Sequence, residues 1–199
     1  DMECAEILRD ILRNNKTMTT LGLAGNHFGQ TTSAFECIAD GLGSNSTLLR
    51  INLSNCALGD AGVSIMAQTI GSRNTSLQEV TLGCNAITSF SVGVLLETME
   101  QISHHITDLN LKYNDTIGNE GASLLARSLG NNALPNLTRL SLSQCRIGDD
   151  GFIALMSALE LRLRCYSLVC VTTIMESASG PFWPWRRVYQ KSKPCSELT

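Results

Sequence analysis

The chain has 199 residues, of which 43% are hydrophobic, and a net charge of -3 at pH 7, which is typical of a folded domain and not of a disordered chain. Nucleic-acid-binding proteins usually carry a basic surplus that this sequence lacks, so we expect neither DNA nor RNA as a partner. No apolar run approaches the roughly 18 residues that cross a bilayer, so we expect a soluble, cytoplasmic protein without a membrane partner.

The first element is a short amphipathic helix. Apolar residues recur at helical spacing between residues 3 and 13, and Asn14-Asn-Lys-Thr17 is a run of turn-forming residues. We interpret residues 1–17 as the helix and turn of a preceding partial repeat, which predicts that the sequence begins in the middle of a repeat.

Five copies of the pattern Leu-x-x-Leu-x-Leu-x-x-(Asn/Cys) follow, with apolar substitutions at the leucines. The fourth position of the pattern falls at residues 21, 51, 80, 109 and 140. Alternating leucines indicate a short strand with one face in the core, and the Asn or Cys is placed to satisfy backbone groups at the bend. We predict parallel strands centred on residues 21–23, 51–53, 80–82, 109–111 and 140–142.

Each strand is followed by a segment whose apolar residues share one helical face, such as Val63, Met66 and Ala67 in the second copy. Asp60, Asn119 and Asp149 are expected to start helices. The first and third copies carry Gln30-Thr-Thr-Ser33 and Thr88-Ser-Phe-Ser91 at this point, so their helix entries should differ locally. The predicted repeats are residues 18–47, 48–76, 77–105, 106–136 and 137–160.

The pattern degrades towards the end of the sequence. Leu163, Tyr166 and Leu168 still fit a strand, so residues 161–175 are predicted to form a degraded sixth strand. Residues 176–199 form an irregular basic tail that contains Pro181-Phe-Trp-Pro-Trp185. This tail fits a disordered end, a folded cap or a basic aromatic binding segment.

The strings Leu58-Gly-Asp-Ala-Gly62, Ile117-Gly-Asn-Glu-Gly121 and Ile147-Gly-Asp-Asp-Gly151, with a period near 29 residues, resemble the ribonuclease-inhibitor-like leucine-rich repeats. Such repeats also form the sensor region of NOD-like receptors. The resemblance implies a right-handed α/β solenoid, a horseshoe with strands on its concave face and helices on its convex face. It also implies a scaffold that binds another protein on the concave face, in a regulatory or innate-immune-like role.

Outward strand positions are the natural surface for that partner. Arg50, Glu79, Asp108 and Arg139 occupy the third position of four copies, so opposite charges stand on neighbouring strands twice, at Arg50 with Glu79 and at Asp108 with Arg139. They fit either mutual ion pairs or a charged recognition stripe. Past the end of the fourth strand, Lys112 and the aromatic Tyr113 complete the set of candidate partner-binding residues.

No catalytic residue, cofactor or metal site is predicted. The histidines fall in turns, and the eight cysteines form no Cys-x-x-Cys pair and are expected to be unpaired thiols. Two alternatives stay open: a GTPase-activating regulator of the Ran-activator type, and a secreted or receptor ectodomain. The second rests on the Asn-x-Ser/Thr sequons at Asn15, Asn45, Asn52, Asn74, Asn114 and Asn136.

Overall fold

The computed structural model describes residues 2–72, 76–102 and 105–165, which form one helix followed by five strand-helix units. A single 3-10 turn, Phe28–Gln30, precedes the second helix, at the point where the first copy departs from the pattern. The elements are α1 (Met2–Asn14), β1 (Thr20–Gly22), α2 (Thr32–Gly43), β2 (Arg50–Asn52), α3 (Gly59–Ser72), β3 (Glu79–Thr81), α4 (Ser89–Ile102), β4 (Asp108–Asn110), α5 (Gly118–Gly130), β5 (Arg139–Ser141) and α6 (Asp149–Cys165).

The five strands form one parallel sheet in sequence order, as predicted. Each strand begins and ends one residue before its predicted position, because the second leucine of the pattern already lies at the start of the bend. That leucine still bonds to the next strand: the Leu53 amide donates to the Thr81 carbonyl at 2.9 Å. The predicted α/β solenoid of leucine-rich repeats is confirmed.

The alternating leucines build a continuous core between the sheet and the helices. Leu53, Leu82 and Leu111 are fully buried, and each helix packs against the next. Because strand side chains alternate, the first and third residues of every strand point away from this core. We call the surface that they form the strand face and the opposite surface the helix face.

Two buried asparagines join neighbouring repeats at the bends. The Asn114 side-chain oxygen accepts hydrogen bonds from the Asn85 and Ile87 amides at 2.8 and 3.2 Å, and its NH2 group donates to the Leu82 and Leu111 carbonyls. The Asn85 side chain makes the same kind of bonds to the repeat before it. Backbone groups that leave the sheet are thus satisfied without water.

Cysteine replaces asparagine at two other bends. Cys56 and Cys145 are buried, and each thiol donates to a carbonyl of the preceding repeat, that of Leu23 or Leu111, at 3.2 Å. Burial raises the pKa of both thiols, which favours the protonated donor.

The residues predicted to start helices also contact the next repeat. Asp60 accepts the Thr88 amide at 3.0 Å, the Thr88 hydroxyl at 2.8 Å and the Ser91 hydroxyl, all at the start of α4. Asn119 likewise accepts the Gly148 amide at 2.7 Å just before α6. The unusual entry of the third copy therefore supplies two hydroxyls that hold the Asp60 carboxylate.

The sixth strand predicted for residues 161–175 does not begin at residue 161, since α6 continues to Cys165. The alternation of Leu and Arg in residues 161–164 resembles a strand, but both residue types are strong helix formers. Gly43 and Gly130 end α2 and α5, whereas α6 has no glycine after Gly151. Residues 166–175 and the tail of residues 176–199 lie outside the described residues.

Replacement of Leu111 by alanine tests the assignment of inward positions. The fully buried side chain touches the core of a middle repeat, so Leu111→Ala should lower the free energy of unfolding by about 2 to 5 kcal/mol. Chemical denaturation measures this, with the exposed Arg127→Ala on α5 as the control. Equal shifts for the two variants would show that the assignment is wrong.

The Asp60 contacts predict a pH-dependent contribution to stability. Partial burial raises the pKa of Asp60, but the hydrogen bonds from Ser91 and Thr88 outweigh it, so the pKa lies below its usual value of 3.8. The ionised carboxylate therefore stabilises the fold at neutral pH, and this contribution is lost as pH falls below about 4.

Asp60→Ala should lower the free energy of unfolding by about 1 to 2 kcal/mol at pH 7, as expected for loss of a helix-capping acid. Urea titrations at pH 7 and pH 3 should show a smaller difference in the free energy of unfolding between Asp60→Ala and the wild type at the lower pH. Asp115→Ala, which removes only an exposed 3.7 Å contact to Arg146, is the matched control. A gap of the same size at both pH values would contradict the assigned role.

Candidate protein-binding surface

The third pattern positions stand in register across the strand face. Backbone pairing places Arg50 opposite Glu79, Glu79 opposite Asp108, and Asp108 opposite Arg139. Neighbouring strands lie about 4.8 Å apart, so the four side chains cover about 14 Å of the sheet. We call these four residues the charge ladder.

The charge ladder is connected by ion pairs. Arg50 Nη1 lies 3.6 Å from Glu79 Oε1, and Arg139 contacts Asp108 through Nε. Arg139 Nη2 also lies 3.5 Å from Glu79 Oε1, across two strand intervals. The ion pairs that were one of the two interpretations of the sequence are formed, and the contact between Arg139 and Glu79 links them into one network.

The arginines of the ladder keep free surface. Their side chains are 49% and 56% exposed for Arg50 and Arg139, so each guanidinium can donate to a partner while it stays paired. The hydrogen bond with Asp108 raises the pKa of Arg139, which keeps it charged. Arg50 Nε donates to the Thr20 hydroxyl at 3.2 Å and Arg139 Nε donates to Asp108, so each guanidinium is oriented by its own chain.

Tyr113 lies past the opposite end of the strands. The equivalent residue has a positive φ in all five copies, and Tyr113 has a φ of 60° with its side chain 60% exposed. A left-handed backbone is unfavourable for so bulky a residue, and the exposed ring adds little to the core. Its amide donates to the Ser143 carbonyl at 2.9 Å, which holds the bend in place.

The six predicted residues therefore form two groups. Asp108 begins β4, whereas Tyr113 lies in the turn that follows the end of this strand at Asn110. Between the charge ladder and Lys112 with Tyr113 runs a row of small residues: Gly22, Asn52, Thr81, Asn110 and Ser141. Asn52 and Asn110 accept hydrogen bonds from Ser54 and Lys112 amides, so this row is fixed by its own turns.

The asparagine side chains of two sequons are used in hydrogen bonds within the fold. The side-chain NH2 of Asn45 donates to the Leu12 carbonyl at 2.7 Å, and that of Asn114 to the Leu111 carbonyl at 2.8 Å. Both side chains are buried. Since an N-linked glycan attaches at this nitrogen, glycosylation at either residue is incompatible with the folded repeat.

His27 and His105 are exposed, and His104 lies outside the described residues. Within residues 2–72, 76–102 and 105–165, no group of three His, Cys, Asp or Glu side chains is arranged to hold a metal ion. Across the same ranges, none of the helices combines the length and apolar character that a membrane crossing requires.

Comparison with known proteins finds leucine-rich repeats in this chain. A family model described as "Leucine Rich repeat" matches residues 44–67, 103–126 and 133–156. The ribonuclease-inhibitor-like subclass and the link to NOD-like receptors stay predictions.

Two curated relatives are named "Centrosomal protein of 78 kDa". The mouse protein is 29% and the human protein 30% identical, each over 62% of this chain. The match covers 18% and 21% of their respective lengths, so the chain spans about a fifth of these relatives.

Two solved structures share the fold. "Leiomodin-1 Actin-Binding Site 2" matches with a TM-score of 0.63 and 15% identity, over 79% of this chain and 88% of that one. A tropomodulin C-terminal domain from Caenorhabditis elegans matches with a TM-score of 0.58 and 16% identity, over 80% and 93%. At these identities the likeness shows the architecture alone.

Proposed function

We propose that this chain is a non-catalytic scaffold that binds a protein partner on the strand face, through the charge ladder and through Lys112 and Tyr113. The observation that supports this most directly is the ladder itself, four charges held in register with two half-exposed guanidinium groups. Arginine and tyrosine are the residue types that most often anchor protein interfaces.

The shape of the strand face favours an extended segment of the partner. A row of small residues runs between the ladder and Tyr113, which leaves room for a backbone to lie across the sheet. The ladder has no net charge, so we expect a partner that presents both signs of charge and not a uniformly charged polymer. This agrees with a protein ligand and with the absence of a basic surplus.

The relatives suggest where to look for the partner. Two of the curated relatives are named as centrosomal proteins, and an actin-binding site is among the solved structures that share the fold. We therefore propose an intracellular, cytoplasmic setting and take centrosome-enriched fractions and filamentous actin as the first probes. We assign no residue of the strand face to GTPase activation or to an innate-immune role.

A charge swap separates recognition from structure. The double variant Asp108→Arg with Arg139→Asp keeps opposite charges opposite each other at positions 108 and 139. It changes the order of charges along the ladder from + − − + to + − + −, so a partner meets a different pattern. Thermal melting should be unchanged, because exposed ion pairs add little to stability. Binding should weaken by about tenfold or more, as expected when a central interface anchor is lost.

The assay is capture from the two probes by the immobilised 199-residue chain, followed by affinity measurement on the purified partner. Tyr113→Ala should weaken binding as well, because it removes the exposed ring. The variant should fold normally, since alanine adopts a positive φ at Ala57 and Ala86. Arg127→Glu on α5 is the matched control and should bind like the wild type. The proposal fails if the swapped ladder binds normally or if only Arg127→Glu loses the partner.

A further inference from the structure

A shallow groove on the helix face lies between α4 and α5, away from the strand face. Its apolar lining comes from Phe90, Gly93, Val94 and Leu124. Phe90 is 67% exposed, the most exposed large hydrophobic side chain among the described residues. Removal of such a ring from water is favourable, so the groove offers an unused apolar contact.

Gly93 opens the groove. A β-carbon at this position would contact Leu124 Cδ1 at 3.6 Å, an ordinary van der Waals distance, so the glycine is not required by close packing of the helices. The equivalent positions on α5 and α6 carry Ser123 and Ile153. Gly93 therefore leaves more room between α4 and α5 than either of these side chains would leave at the same position.

The rim of the groove is acidic. Glu120 accepts a hydrogen bond from the Ser89 hydroxyl at 2.8 Å, which fixes its carboxylate beside the groove. Glu97 is exposed, and within the part of the chain that the structure describes it makes no hydrogen bond or ion pair. An occupant that complements this site must offer apolar rings next to positive charges.

We infer that the groove is filled by the chain's own residues 182–187, Phe-Trp-Pro-Trp-Arg-Arg. This segment places three aromatic rings directly before Arg186 and Arg187. The charge is complementary at a larger scale too: residues 1–160 contain 9 Lys and Arg against 16 Asp and Glu, whereas residues 161–199 contain 6 against 2. The aromatic rings pack on Phe90 and Leu124, and the arginines pair with Glu97 and Glu120.

The connecting stretch is long enough. The end of α6 at Cys165 and the start of α4 are separated by two helix-to-helix spacings in one direction and by the length of α6 in the perpendicular direction. The straight-line distance between them is therefore about 33 Å. Residues 166–181 span up to about 53 Å when extended. The exposed residues Ile7 and Ile11 on α1 lie five helix spacings away, which makes them a poorer match for the same segment.

The segment contains both tryptophans of the chain, Trp183 and Trp185, so their fluorescence reports on docking. In the full chain we expect emission at shorter wavelength than in a synthetic peptide of residues 178–195. Quenching by acrylamide should be weaker by about twofold or more, because a docked ring is shielded from solvent. Phe90→Ala and the double variant Glu97→Lys with Glu120→Lys should both return the signal to that of the peptide.

Two exposed positions on α6 outside the groove provide matched controls, Ile153→Ala for the apolar change and Asp150→Lys for the charge change. Both should keep the wild-type signal, and circular dichroism should show the same folded state in every variant. The inference is overturned if the full chain is quenched like the peptide, or if Ile153→Ala releases the tryptophans and Phe90→Ala does not. A signal that disappears on dilution would also overturn it, since the segment of a second copy would then fill the groove.

Discussion

The side-chain amides of Asn85 and Asn114 hold the repeats together at their bends. Each strand ends after three residues, and the chain must then turn without leaving its amides and carbonyls unpaired in the core. Both side chains are buried and bond to backbone groups of their own repeat and of the one before it. These hydrogen bonds fix the distance and register between repeats. The alignment of the outward-facing strand residues depends on that register.

The register between strands brings the third pattern positions together on the strand face. Because the third positions align from strand to strand, Arg139 reaches both Asp108 and Glu79, and the isolated charges become one network. The same alignment leaves Tyr113 at the far edge of the strand face. The groove beside Phe90 faces the opposite side, so the proposed partner site and the proposed docking of residues 182–187 do not compete for the same surface.

The sequence predicted the strands, the helices and the outward charges because each depends on a local pattern with a fixed period. It did not predict that Asp60 binds Thr88 and Ser91, because a cap that crosses to the next repeat leaves no trace within one repeat. The extension of α6 to Cys165 was missed since alternating Leu and Arg satisfy both a strand pattern and a helix propensity. The groove was missed because it arises from one glycine next to one exposed ring on an otherwise regular helix.

Residue-resolved hydrogen exchange in Asn114→Ala tests most directly whether the bend amides hold the register. The Asn85 and Ile87 amides, which donate to the Asn114 side chain, should exchange about tenfold faster or more than in the wild type. The Leu23 amide in the first repeat should change less, because its bond to the Asn52 carbonyl lies two repeats away. Unchanged protection at Asn85 and Ile87, or an equal increase at Leu23, would contradict the account.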